Sequence, residues 1–175
     1  MRVIDTEIEG VVIIEPQLFG DNRGYFMESY SKREFDSRVG EVAFVQDNIS
    51  RSTYGVVRGL HYQREPYAQS KLVRCVVGCV LDVAVDIREG SPTFGRYVAV
   101  ELSAENHRQL FIPKGFAHGF AVLSDEALFE YKCDEFYHPE AECGIAWDDP
   151  KIGIDWRLPK ADIILSEKDK GYKGL

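Results

Sequence analysis

Four histidines, at positions 61, 107, 118 and 138, are the first places to look for proton transfer near neutral pH. His61 lies in Arg58-Gly-Leu-His61-Tyr-Gln63, a strand-like run interrupted by Gly59. A glycine inside a strand often marks a bulge or a close backbone approach. Simple alternation puts Gly59, His61 and Gln63 on one face and Arg58 on the other. Arg58 and His61 therefore share a cavity only if the strand bulges near Gly59 or Arg58 reaches around. A histidine in a half-buried strand is ordinarily a satisfied structural residue, so position alone does not make His61 a base. Arg23, Glu28, Arg58, Lys71, Arg74 and Lys132 likewise interrupt apolar or aromatic runs. Each alone reads as a solvated outer-face residue. Several basic groups beside a histidine and aromatics would suit a diphosphate.

His118 sits in Pro113-Lys-Gly115-Phe-Ala-His118-Gly119. This P-x-G-x-x-H spacing resembles the second cupin motif, in which a turn delivers a histidine into a barrel mouth. Metal-binding cupins also need H-x-H followed by Glu in an earlier strand. The corresponding stretch here is His61-Tyr-Gln63, one histidine without its partner. Transition metals generally want three or more N, O or S protein ligands, and a protonated Lys71 nearby cannot ligate. No metal site is expected.

The elements that must position these groups are short strands. The runs 11–16, 24–30, 43–51, 56–63, 71–77, 79–88, 96–103, 108–113, 118–123, 128–133 and 144–147 are apolar or alternating, with turn residues between them. Helix signals are few: Ser31-Lys-Arg-Glu34 has the capping-box pattern, and Ser166-Glu-Lys-Asp169 can open a short helix. The pattern predicts an all-β fold, a double-stranded β-helix (jelly roll, cupin-like) with a few short helices. No repeat, linker or low-complexity tract divides the 175 residues, so a single domain over 1–175 is expected. A net charge of −8 lacks the basic footprint of a nucleic-acid binder. The N-terminus has no signal-like apolar region and no apolar run spans a membrane, which points to the cytoplasm. Cys75, Cys79, Cys133 and Cys143 lack zinc-ribbon spacing and read as buried free thiols.

Several segments together resemble the dTDP-4-dehydrorhamnose 3,5-epimerase family. They are Gly20-Asp-Asn-Arg-Gly-Tyr-Phe-Met-Glu28, Phe44-Val-Gln-Asp-Asn48, Val57-Arg-Gly-Leu-His61-Tyr-Gln63 and Gln69-Ser-Lys-Leu-Val-Arg74. Asp82-Val-Ala-Val-Asp-Ile-Arg88, Ser91-Pro-Thr-Phe-Gly95, Ile112-Pro-Lys-Gly-Phe-Ala-His-Gly119 and Leu165-Ser-Glu-Lys-Asp169 continue the match in order along nearly the whole chain. The resemblance implies a jelly-roll homodimer, needing no cofactor, that acts on dTDP-4-dehydro-6-deoxy-D-glucose. It makes His61 the general base, Asp169 its orienting carboxylate, Lys71 the group at the C4 oxygen and Tyr131 the proton donor. Arg23, Glu28, Gln46, Asp47, Asn48, Arg58, His118, Glu142 and Lys168 match positions that bind the nucleotide sugar. Tyr137 matches the aromatic that stacks on thymine. In that dimer, Arg23 and Glu28 are candidates to act in the neighbouring subunit's site.

These residue types suit the chemistry. C3 and C5 both flank the C4 ketone, whose oxygen takes up the charge of a carbanion. An imidazole, with a solution pKa near about 6.5, can act as base at neutral pH, and a carboxylate fixes its tautomer. A cation at the enolate oxygen is worth roughly 3–4 kcal/mol. Inversion needs a second acid on the opposite face, because a base that only returned its proton would regenerate the starting sugar. The ketone is already present, so no redox cofactor is required, in keeping with the lack of a G-x-G-x-x-G opening. An epimerase acting at C3 alone or C5 alone would use the same base and acid. A non-catalytic cupin that binds a nucleotide sugar would keep the same pocket without the reaction.

Overall fold

A computed structural model describes all of residues 1–175. Thirteen strands form the frame: β1 (Arg2–Asp5), β2 (Val12–Glu15), β3 (Phe19–Asp21), β4 (Gly24–Phe26), β5 (Gln46–Thr53), β6 (Val57–Gln63), β7 (Lys71–Val77), β8 (Cys79–Asp86), β9 (Tyr97–Ser103), β10 (Gln109–Ile112), β11 (Phe116–Val122), β12 (Glu126–Cys133) and β13 (Glu142–Gly144). Six of them make an antiparallel sheet in the order β1-β2-β10-β7-β12-β5, and five make a second, β13-β6-β11-β8-β9. The two sheets face each other as a jelly roll, and β3 and β4 stand apart as a hairpin. Two short helices, α1 (Lys32–Arg38) and α2 (Glu167–Lys170), complete the fold.

Side-chain parity on β8 explains how the layers stack. Val80 and Ala84 point into the space between the sheets, where they meet Val73, Leu110, Phe120 and Phe129. Leu81, Val83 and Val85 point the other way and pack under Ile145, Ile152 and Trp156. A strand buried on both faces reads as a nearly continuous apolar run, which is what 79–88 shows. The segment after β13 is thus glued by apolar burial to the outside of the five-stranded sheet. That attachment carries the chain to α2 and to Asp169. On the far side, Phe35 of α1 packs with Ile14, Leu72 and Phe111 over the six-stranded sheet.

Several expectations need correction. The 144–147 run is not a strand of its own: the strand is β13, at Glu142–Gly144, while Ile145 and Trp147 belong to the outer apolar layer. The run 24–30 is strand only through Phe26. The Ser31 hydroxyl makes no capping bond, and Glu34 turns instead to Arg38 one turn later, at 3.1 Å. Ser166 does cap its helix, accepting from the Asp169 amide at 3.1 Å. All four cysteines are free, but Cys79 and Cys143 are only half-buried.

The Ser91-Pro-Thr-Phe-Gly95 motif has a structural explanation. The Ser91 and Thr93 hydroxyls each donate to Asp86 at 2.6 Å, and the Arg88 guanidinium adds bonds at 2.9 and 2.7 Å. Burial alone would raise the Asp86 carboxyl. These bonds outweigh it and hold the group well below the usual carboxylate range.

The bulge near Gly59 is real. On β11, His118 pairs with His61 and Phe120 with Arg58, so β6 holds one residue more than its partner over this stretch. The extra residue restores Arg58 to the same face as His61, while Leu60 drops into the outer apolar layer. Gly59 has φ +126°, and a Cβ there would lie 2.5 Å from the Gly119 Cα and 2.8 Å from the His118 carbonyl. Only glycine fits. Gly59→Ala is therefore expected to cost about 2–4 kcal/mol of stability in urea unfolding. A loss under about 0.5 kcal/mol would show that the bulge tolerates a side chain.

Candidate active site

The inward faces of the two sheets meet at one open end in a cleft of about 210 Å³. His61 and Gln63 from β6 and Glu142 from β13 form one wall. Gln46 and Asn48 from β5, Lys71 from β7, and Tyr131 and Cys133 from β12 form the other. Tyr137 closes the rim. A second hollow on the other side of His61 is lined by Arg58, Ser166, Lys168 and Asp169. His61 is the residue common to both.

The His61 Nε2 lies 2.6 Å from the Asp169 Oδ1. The His61 side chain is 30% exposed and that of Asp169 only 4%. Burial would push the Asp169 carboxyl up, but bonds from His61, Ser166 and the Gly59 amide lower it overall, so it stays ionised. A carboxylate accepting from Nε2 fixes that nitrogen as the protonated one, leaving Nδ1 with the free lone pair. Asp169 thus orients the imidazole and can stabilise it once it takes a second proton.

On the facing sheet, the Lys71 Nζ lies 6.0 Å from the centre of the Tyr131 ring. Burial pulls the Lys71 ammonium below the usual lysine value and pushes the Tyr131 phenol above the usual tyrosine value. Tyr131 is accordingly a neutral donor at working pH. Burial also pushes the Cys133 thiol up to about 11, despite the neighbouring Lys71, so Cys133 is no thiolate nucleophile. Behind His61, the buried His118 Nε2 bonds the Asp82 Oδ2 at 2.8 Å. Burial lowers the His118 imidazole, overcoming the pull of Asp82, and keeps it neutral. The other Asp82 oxygen has no hydrogen-bond partner.

At the rim the Tyr137 hydroxyl donates to Glu142 Oε2 at 2.6 Å, and Lys168 Nζ pairs with Glu142 Oε1 at 2.5 Å. Gln46 accepts from the Tyr137 amide at 3.1 Å and donates to Asn48 at 2.9 Å. Arg58 reaches Ser52 on β5 with a 3.1 Å bond from Nε. Three of the sequence-selected residues lie elsewhere. Asp47, of opposite parity to Gln46 and Asn48, faces outward and pairs with Lys132 at 2.9 Å. Arg23, its side chain 85% exposed, pairs with Asp21 on the projecting hairpin. Glu28 lines a separate hollow against α1. Sequence reasoning missed Tyr172, whose ring stands edge-on to His61 with centroids 5.8 Å apart. Nowhere do three or more His, Cys, Asp or Glu side chains converge as a metal would need.

The arrangement is an oriented imidazole on one sheet facing a neutral phenol and an ammonium on the other, with polar groups at the mouth. Known proteins share the fold that carries it. A protein of Shigella flexneri named dTDP-4-dehydrorhamnose 3,5-epimerase is 63% identical over 170 residues, covering 97% of this chain and 93% of the relative. The crystal structure of dTDP-4-dehydrorhamnose 3,5-epimerase from Elizabethkingia anophelis NUHP1 superposes with TM-score 0.96 at 52% identity, covering 100% of this chain and 96% of the other. An epimerase structure from Legionella pneumophila Philadelphia 1, in complex with dTDP-4-keto-L-rhamnose, gives TM-score 0.95 at 53% identity, covering 99% and 92%. The sequence profile described as dTDP-4-dehydrorhamnose 3,5-epimerase matches residues 5–175, and the chain belongs to that family.

Proposed function

We propose that this chain is a cofactor-independent isomerase converting dTDP-4-dehydro-6-deoxy-D-glucose to dTDP-4-dehydro-L-rhamnose by inverting C3 and C5. The observation that carries the mechanism is the placement of His61 and Tyr131 on opposite sheets across one cleft. A sugar ring lying between them has a base on one face and an acid on the other. The His61 Nδ1 takes a proton from the carbon beside the ketone, and the electron pair moves onto the C4 oxygen. The Lys71 ammonium stabilises that enolate oxygen. Tyr131 then delivers its proton to the same carbon from the opposite face, and solvent returns the proton from His61 to the phenolate. Repeating the step at the second carbon completes the conversion.

Binding roles follow from position. The Glu142–Lys168–Tyr137 cluster and Gln46 and Asn48 hold the nucleotide at the mouth, with Tyr137 offering its ring to the thymine. Arg58 and His118 flank the sugar and the base. Asp47 faces outward, so any part it has in binding comes through its backbone. Arg23 and Glu28, remote from this cleft in one chain, serve the site of a second copy in a homodimer. The exposed aromatics Phe19, Tyr25 and Phe26 on their hairpin support that assignment. The chain acts as one jelly-roll domain over 1–175. Its four unpaired thiols support a reducing compartment, the cytoplasm, and no helix is long and apolar enough to cross a membrane.

Incubation with substrate in deuterated water is expected to place label at both C3 and C5, read by NMR. Label at one carbon would mean a single-site epimerase, and no label would mean a binding protein. His61→Ala should lower the rate about 10²–10⁴-fold with nucleotide binding largely kept. Tyr131→Phe should still wash deuterium in, because His61 can return a solvent proton to the face it took it from, but net inversion should fail. Loss of exchange and inversion together in Tyr131→Phe would contradict the two-sided division of labour.

The alkaline limb of kcat/KM should belong to Lys71. Both Lys71 and Tyr131 must be protonated, and burial lowers the first while raising the second. As pH rises, the ammonium is lost first, at a pH below the ordinary lysine value. Lys71→Arg should move that limb to higher pH at a reduced rate. An unmoved limb would assign it to another group.

A further inference from the structure

Asp169 secures one nitrogen of His61, but a single hydrogen bond leaves the imidazole free to pivot about it. Tyr172 supplies a second constraint. Its ring meets the His61 ring at 68°, the edge-to-face geometry that aromatic pairs favour. The ring lies directly over Gly144, the residue paired with His61 across β13 and β6. A Cβ at Gly144 would overlap the Tyr172 carbons Cδ2, Cε2 and Cζ, so the bare glycine is the slot that admits the ring. The segment bearing Tyr172 is pinned on both sides. Asp169 precedes it, the Lys173 carbonyl accepts from the Ala146 amide at 2.8 Å, and the Leu175 amide donates to Asp149 at 2.5 Å.

We propose that Tyr172 is a positioning residue for His61: its ring, seated in the Gly144 slot, holds the imidazole in the one orientation that keeps Nε2 on Asp169 and Nδ1 toward the sugar. This rests on the reading of His61 as the base. The ring does the work, whereas the hydroxyl interacts with Lys168 at the rim. Because misorientation of a base by a fraction of its reach is felt in the chemical step, the effect falls on kcat rather than on substrate affinity.

The test uses steady-state kinetics and solvent-deuterium exchange on full-length variants whose folding is checked by thermal unfolding. Tyr172→Ala should lower kcat and the exchange rate in parallel by about 10–100-fold, with KM changed less than about threefold. Tyr172→Phe should stay within about threefold of wild type, since it keeps the ring. Gly144→Ala closes the slot by a different route and should reproduce the kcat loss. The double variant Tyr172→Ala/Gly144→Ala should be no slower than the worse single one, because both remove one contact. Tyr172→Ala turning over within about twofold of wild type, a loss confined to KM, or Tyr172→Phe as slow as Tyr172→Ala would each overturn the inference. A wild-type protein without exchange would overturn the epimerase reading and this inference with it. Normal wild-type exchange with an unaffected Tyr172→Ala would overturn this inference alone.

Discussion

The close approach of two backbones, Gly59 of β6 against Gly119 of β11, governs how the site is assembled. With no side chain on either residue there, the strands can hold one extra residue in β6 without separating. Parity along β6 then changes in the middle of the strand. Residues that alternation would set on opposite faces, Arg58 and His61, come to share one face and line the same hollow beside the cleft, and Leu60 is left to anchor the outer layer. The Gly59 amide also reaches Asp169, so the same irregularity that aims the imidazole helps hold its carboxylate partner. Regular pairing through this stretch would satisfy more ladder bonds and lose the alignment.

Around that geometry, burial sets protonation states in a useful division. The sheet that carries Lys71, Tyr131 and Cys133 holds groups whose charged forms are disfavoured by the surrounding protein. The opposite wall carries Glu142, and Asp169 stands behind its His61, each kept ionised by bonds that outweigh its own desolvation. Proton donors therefore face a base backed by negative charge. A low-dielectric cleft strengthens each of these interactions relative to water, which is the setting in which a developing enolate is best stabilised.

Much of this was legible from the residues. The inner strands, from β5 to β12, announce themselves because alternation or continuous apolarity is the direct imprint of burial on one or two faces. The condition placed on Arg58 and His61, a bulge near Gly59, was also readable, since glycine in a strand has few other uses. Other features were not. Edge elements such as β1 and β3 are too short to carry a period. Ile145 and Trp147 read as a strand because apolar residues look alike whether they pair in a sheet or merely cover one. Asp47 illustrates the reverse limit: a motif marks a neighbourhood, and only side-chain parity separates it from Gln46 and Asn48. The fit of Tyr172 over Gly144 is a steric relation between distant positions, and nothing in spacing or composition expresses it.

Because Asp169 lies beyond every strand of the sandwich, the two halves of the base are separated in time as well as in sequence. A growing chain releases His61 and all thirteen strands from the ribosome before α2 emerges. The jelly roll can therefore enclose its cleft while the imidazole still lacks both its carboxylate and its aromatic wall. The outer face of β8 and β6, covered in the end by Ile152 and Trp156, remains an open apolar surface during that interval. The segment that covers this face is the one that leads to Asp169, so covering the face and delivering the carboxylate are structurally linked. Competence for proton transfer thus depends on that outer attachment: a molecule in which it has peeled away keeps the cleft between the sheets but loses Lys168 from the rim and the alignment that makes His61 a base.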